Sequence, residues 1–118
     1  MISVDLFRNE EDTLPFAAGQ TIFSQGDSGE AMYVVIEGKV ALTVNGTLVE
    51  ELEAGGLFGE LALIDTAPRI ATAVASTDCK LVAINEKRFR FLIQQTPHFA
   101  LLVMRVIADR LRRMDSRL

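Results

Sequence analysis

Glycine turns recur so densely through the first two thirds of this chain that neither a long helix nor a long unbroken strand fits there. Ala18-Gly19, Gln25-Gly26-Asp27, Ser28-Gly29, Glu37-Gly38, Asn45-Gly46 and Gly55-Gly56 each carry turn chemistry. Short runs lie between them. Ala31–Glu37 (AMYVVIE), Val40–Val44 (VALTV), Thr47–Leu52 (TLVEEL), Ile70–Ser76 (IATAVAS) and Cys79–Ile84 (CKLVAI) are predicted strands. Asn45-Gly46 favours positive φ at both positions, which closes a tight hairpin between the second and third runs. In the fourth, Ile70, Thr72 and Val74 alternate with Ala71, Ala73 and Ala75. Short strands at even spacing predict a small antiparallel barrel or jelly roll. No repeat of solenoid or propeller length is present.

The tail changes character. Asn85 is a plausible N-cap, and Phe89, Leu92 and Ile93 recur at helical spacing. Pro97 ends that helix or opens the next. From His98 the chain reaches Leu118 without Gly or Pro. Met104, Ile107, Leu111, Met114 and Leu118 form an a/d-type stripe. It either packs on the barrel or meets a twin subunit, and one helix can do both. The expected fold is α+β, mainly β: one domain over residues 1–118, with an antiparallel jelly-roll barrel over about 14–84. A short helix follows the glycines near residue 60, and two C-terminal helices fill about 85–118.

Charge separates along the same boundary. Residues 1–84 hold 4 basic against 13 acidic side chains, net −9, and residues 85–118 hold 8 against 3, net +5. An acidic body repels nucleic acid phosphates. The basic tail reads best as the solvated outer face of a helix. No apolar run approaches the roughly 18 residues that span a bilayer, so no membrane is expected. Residues 1–12 lack the basic-then-apolar order of a signal peptide. Cys79 is the only cysteine, which excludes an internal disulfide and fits a reducing cytoplasm.

Chemistry concentrates in Gly55 to Thr72, GGLFGELALIDTAPRIAT. Gly55, Gly56 and Gly59 allow tight turns and close approach to a ligand. Glu60 to Ile64 is a one-turn helix former. A glycine turn opening a helix presents free N–H groups to an anion. Arg69, behind Pro68, offers a planar fork that matches two phosphate oxygens. Glu60, when ionised, only accepts hydrogen bonds, so hydroxyls are its natural targets. Together these describe a ribose phosphate pocket. The competing reading has Glu60 favoured by the helix dipole and paired with Arg69.

The segment Phe58 to Ala73, FGELALIDTAPRIATA, resembles the phosphate-binding cassette of cyclic nucleotide-binding domains. These occur in catabolite activator-type regulators and protein kinase A regulatory subunits. The family's F-G-E-L-A-L, loop and P-R are all present at the family's spacing. Ile22 to Leu42 is similar to the family's glycine-marked strands, and the tail's Ala108–Leu111 (ADRL) to the long dimer helix.

The resemblance implies roles. Glu60 would bind the ribose 2′-hydroxyl and Arg69 the exocyclic phosphate oxygens. Backbone N–H groups near Gly59, Leu61, Ala62 and Ile70 would complete the cradle, with Phe58, Ala71 and Thr72 in the same cassette. Leu42, Val49 and Leu52 would wall the purine, and Arg110 and Met114 would approach the base. Ile70 lacks the hydroxyl that family members favouring cGMP often carry at that position, so cAMP is the expected ligand and cGMP the alternative. Thr72 supplies a hydroxyl two residues on. The implied partners are the cyclic nucleotide, a homodimer twin and an effector protein. No room follows Leu118 for a helix-turn-helix domain, so nucleic acid binding by this chain is not expected.

Catalysis is not expected either. His98 is the only histidine, too few for a triad or for the histidine clusters of a metal-dependent cupin. Glu60 and Arg69 lack the second base or metal site that phosphodiester hydrolysis needs. Cys79 reads as a small buried hydrophobe. The expected function is a regulatory sensor that needs no cofactor. The alternative is an interaction or dimerisation module that keeps the fold without responding to nucleotide.

Overall fold

The run Ala31–Glu37 breaks the strict alternation of a half-exposed strand, because Met32, Val34 and Val35 are all fully buried. Its sheet is covered on both faces. The computed structural model describes residues 13–65 and 67–115, apart from the side chains of Met114 and Asp115. Expectations placed on residues 1–12, the Met114 side chain and Leu118 lie outside the described residues.

The strands are β1 (Leu14–Phe16), β2 (Thr21–Phe23), β3 (Ala31–Glu37), β4 (Val40–Val44), β5 (Thr47–Leu52), β6 (Leu57–Phe58), β7 (Thr72–Ala75) and β8 (Cys79–Asn85). The helices are α1 (Leu61–Ile64), α2 (Glu86–Gln95) and α3 (Pro97–Asp115). Two antiparallel four-stranded sheets form a jelly roll, in the orders β1-β8-β3-β6 and β2-β7-β4-β5. Between the sheets lie Val35, Val40, Leu42, Leu52, Phe58, Ala73, Ala75, Cys79 and Leu81. On the outer face of the first sheet, Met32, Val34, Leu57, Val82 and Ile84 meet Phe89, Leu92, Phe99 and Val103 of the helices. Fully burying side chains such as Phe99 and Val103 stabilises the docked α3 by about 1.5–3 kcal/mol each.

β3, β4 and β5 match their predicted bounds, β8 runs one residue past its predicted end to Asn85, and the hairpin turn has the predicted positive φ, 52° at Asn45 and 82° at Gly46. Asn85 caps α2 by accepting the Arg88 backbone N–H at 2.9 Å. Pro97 opens α3, which turns by 117° from α2. No single helix among the described residues is long and apolar enough to cross a membrane.

The structure departs from the sequence reading in three places. β1, β2 and β6 are three, three and two residues long, too short to show a period. Ile70 and Ala71 precede β7 instead of starting it. The Arg69 backbone is bonded to the turn after β2, through Arg69 N–H to Asp27 O and Gly26 N–H to Arg69 O, both 2.8 Å, and strand pairing resumes only at Thr72 with Thr43. The tail stripe also divides. Ile107 packs against the helix-covered core, whereas Met104 and Leu111 are 62% and 59% exposed. The buried side of α3 runs instead through Phe99, Leu102, Val103, Val106 and Ile107.

Candidate functional site

The turn between β6 and α1 places Gly59 at φ 79°, a conformation that glycine adopts without strain. It sends the chain from the buried Phe58 into Glu60 and α1 along the mouth of a cavity of about 420 Å³. Leu42, Val44 and Val49 of the hairpin form one wall, and Ile107, Arg110, Leu111 and Arg113 of α3 form another. Residues 59–62 and 67–71 close it. The cavity therefore gathers Gly59, Glu60, Leu61, Ala62, Arg69, Ile70, Ala71, Leu42, Val49 and Arg110 from the predicted site.

Three predicted residues lie elsewhere. Phe58 is fully buried between the sheets and supports the site from beneath. Leu52 pairs with Val40 at the far end of the hairpin, so it packs in the core and does not wall the cavity. Thr72 has entered β7, and its Oγ1 accepts the Gln25 backbone N–H at 2.9 Å.

Arg69 is 8% exposed and has no carboxylate partner among the described ion pairs. Its Nη1 donates to Gly59 O at 3.0 Å and its Nη2 to Ala31 O at 2.7 Å. Its Cζ lies 4.0 Å from the centroid of the Phe23 ring. Among the described residues, the Arg69 Nε is the buried side-chain donor left without a hydrogen-bond partner. Burial holds this guanidinium below the usual arginine pKa, opposed by the nearby Tyr33, Glu60 and Asp27. It remains a cation. A buried cation at a cavity wall, with no carboxylate among the described ion pairs, suits an anion.

Gly29 makes that placement possible. Its φ is ordinary, but a Cβ there would lie 2.5 Å from Arg69 Nε and 2.9 Å from Ala62 Cβ. The close approach, not the backbone angle, requires glycine.

The Glu60–Arg69 pair entertained from the sequence does not form. Glu60, 3% exposed, instead accepts Arg110 Nη1 at 2.7 Å. Arg110 Nε donates to Glu50 Oε1 at 2.7 Å, and its Nη2 donates to Leu57 O. Arg113 Nη2 reaches the same Glu50 oxygen at 3.4 Å. Burial pulls the Arg110 pKa down, but the hydrogen bonds and charges of Glu50 and Glu60 outweigh it, leaving the guanidinium above its usual value. The Ala62 N–H, expected in the anion cradle, is directed at Gly59 O at 3.3 Å.

Glu50 is the charged cavity-lining residue that the sequence reading missed. Leu42 pairs with Glu50 but Thr43 pairs with Leu48, so Val49 is an extra residue at a β-bulge. The bulge lets adjacent Val49 and Glu50 both line the cavity. Strict alternation forbids that. Phe23 was missed as well, because its three-residue strand carries no period.

The fold agrees with that of similar proteins. The family model described as the cyclic nucleotide-binding domain matches residues 13–96. A CRP-like cAMP-activated global transcriptional regulator of Mycobacterium tuberculosis is 31% identical over 108 residues, covering 87% of this chain and 48% of the regulator. This chain thus spans about half the length of that curated relative. The catabolite activator protein of Thermus thermophilus superposes with a TM-score of 0.79 at 34% identity, covering 95% of this chain and 60% of that one. Cyclic AMP-bound PfPKA-R gives 0.78 at 25% identity, covering 89% and 36%.

Proposed function

Because this chain belongs to the cyclic nucleotide-binding domain family, we propose that it is a regulatory module whose ligand is cAMP. The observation that carries the reading is the buried Arg69, charged and without a carboxylate among the described ion pairs, in one cavity with the acceptor Glu60. The cyclic phosphate binds at Arg69 and the ribose 2′-hydroxyl at Glu60. The purine lies along Leu42 and Val49. Ile70 offers no hydroxyl to a guanine amino group, and Thr72 does not line the cavity, which favours adenine.

The response follows from the ion pairs. A ribose hydroxyl and Arg110 both need Glu60, so ligand and α3 are linked through one carboxylate. Ligand binding then shifts the population between two placements of α3. The exposed Leu101, Met104 and Leu111 of that helix suit a second copy of the chain, so the module acts as a homodimer on an effector in the cytoplasm. Its role is recognition, without catalysis.

Calorimetric titration with cAMP and then cGMP tests this, on protein unfolded and refolded to strip bound nucleotide. The expected result is saturable binding at one site per chain, with cAMP tighter. Folded protein that gives no heat with either would make Glu60–Arg110 a permanent pair and the domain a non-responsive interaction module. Gly29→Ala should weaken binding on the order of ten-fold, about 1.4 kcal/mol, by displacing Arg69. Its circular dichroism spectrum should be unchanged.

A further inference from the structure

We propose that Phe23 is the positioning residue of the anion site, holding the Arg69 guanidinium by its ring face without neutralising its charge or itself taking a donor. The inference rests on the anion-binding reading of Arg69 given above.

The cavity contains two buried arginines stabilised in opposite ways. Arg110 is held by Glu50 and Glu60, which take its donors and cancel its charge. Arg69 has no such carboxylate, and its counterpart is the Phe23 ring at 4.0 Å. The negative face of an aromatic ring attracts a cation without accepting its in-plane N–H bonds. The carbonyls of Gly59 and Ala31 take one donor each from Nη1 and Nη2. Edge contacts alone leave the guanidinium plane free to tilt, and a ring beneath it removes that freedom.

The ring is itself held. Phe23 lies 5.8 Å from the Phe58 ring and 6.1 Å from the Tyr33 ring, and those two stack at 5.4 Å and 23°. Phe58 is fully buried, so this aromatic floor is anchored in the intersheet core. The turn following Phe23 also bonds the Arg69 main chain through Gly26 and Asp27. One short segment therefore fixes Arg69 by backbone and by ring.

The test replaces Phe23 with 3,4,5-trifluorophenylalanine, which keeps the ring but weakens its negative face, and separately makes Phe23→Leu. Two quantities are read: cAMP affinity by calorimetry, and the NMR order parameter of the Arg69 Nε–H in nucleotide-free protein. Both variants should weaken cAMP binding, roughly three-fold for the fluorinated ring and roughly ten-fold for leucine. Both should also lower the Arg69 order parameter, with the thermal midpoint of the fluorinated protein unchanged. An Arg69 as ordered in the fluorinated protein as in wild type overturns the proposal, even if Phe23→Leu binds poorly, because the ring is then only filler. Wild-type protein that binds neither cAMP nor cGMP would defeat the cyclic nucleotide reading instead. The Arg69 order parameter would still decide the role of Phe23.

Discussion

Arg69→Ala folds and loses about 2–5 kcal/mol of cyclic nucleotide affinity, roughly 30- to several thousand-fold. The magnitude follows from the contact type, since a charge-assisted bond to phosphate in a desolvated site has no replacement when the guanidinium is removed. The fold should survive. Arg69 bonds its neighbours through two carbonyls, Gly59 O and Ala31 O, which water can reach once the side chain is gone. Glu60→Ala should cost less affinity, because only a ribose contact is lost and Arg110 keeps Glu50. Calorimetry on both variants, beside their thermal unfolding curves, checks the order. A Glu60→Ala loss larger than that of Arg69→Ala would contradict the assigned roles.

Arg110→Ala is expected to act on stability, lowering it by about 3 kcal/mol near neutral pH. Glu50 and Glu60 both accept from this one guanidinium, so its removal leaves two largely buried carboxylates facing each other. Arg113 reaches Glu50 at 3.4 Å from a half-exposed position and compensates little. Urea unfolding of wild type and variant at neutral pH checks the loss. Arg110→Met, which keeps most of the stem without the charge, should recover little of it, and full recovery would assign the loss to packing of the arginine stem instead.

What could be read from one dimension was decided by local physics. The strand bounds of β3, β4 and β5 follow from turn chemistry at Gly38 and Asn45-Gly46. Asn85 and Pro97 set helix starts by capping and by a missing N–H, effects that act within one turn. The cassette Phe58 to Ala73 is contiguous, so its glycine, acid and arginine were visible together.

Partnership was decided elsewhere. Glu60 and Arg69 are nine residues apart and invite pairing, yet Glu60 bonds Arg110, fifty residues away. No sequence pattern states that α3 returns across the cavity, since the turn between α2 and α3 and the docking of Phe99 and Val103 determine it. A bulge, which depends on the opposing strand as well as its own, brought Glu50 inward. Leu52, two residues further, went to the core. The ring beneath Arg69 came from a strand too short to have a period. The chain by itself thus determined which long elements form and which segment gathers glycines, acid and arginine, because caps, turns and the cassette act on neighbouring residues. Only the tertiary structure decided which charges meet, because burial makes each buried ion take the partner that packing brings within reach.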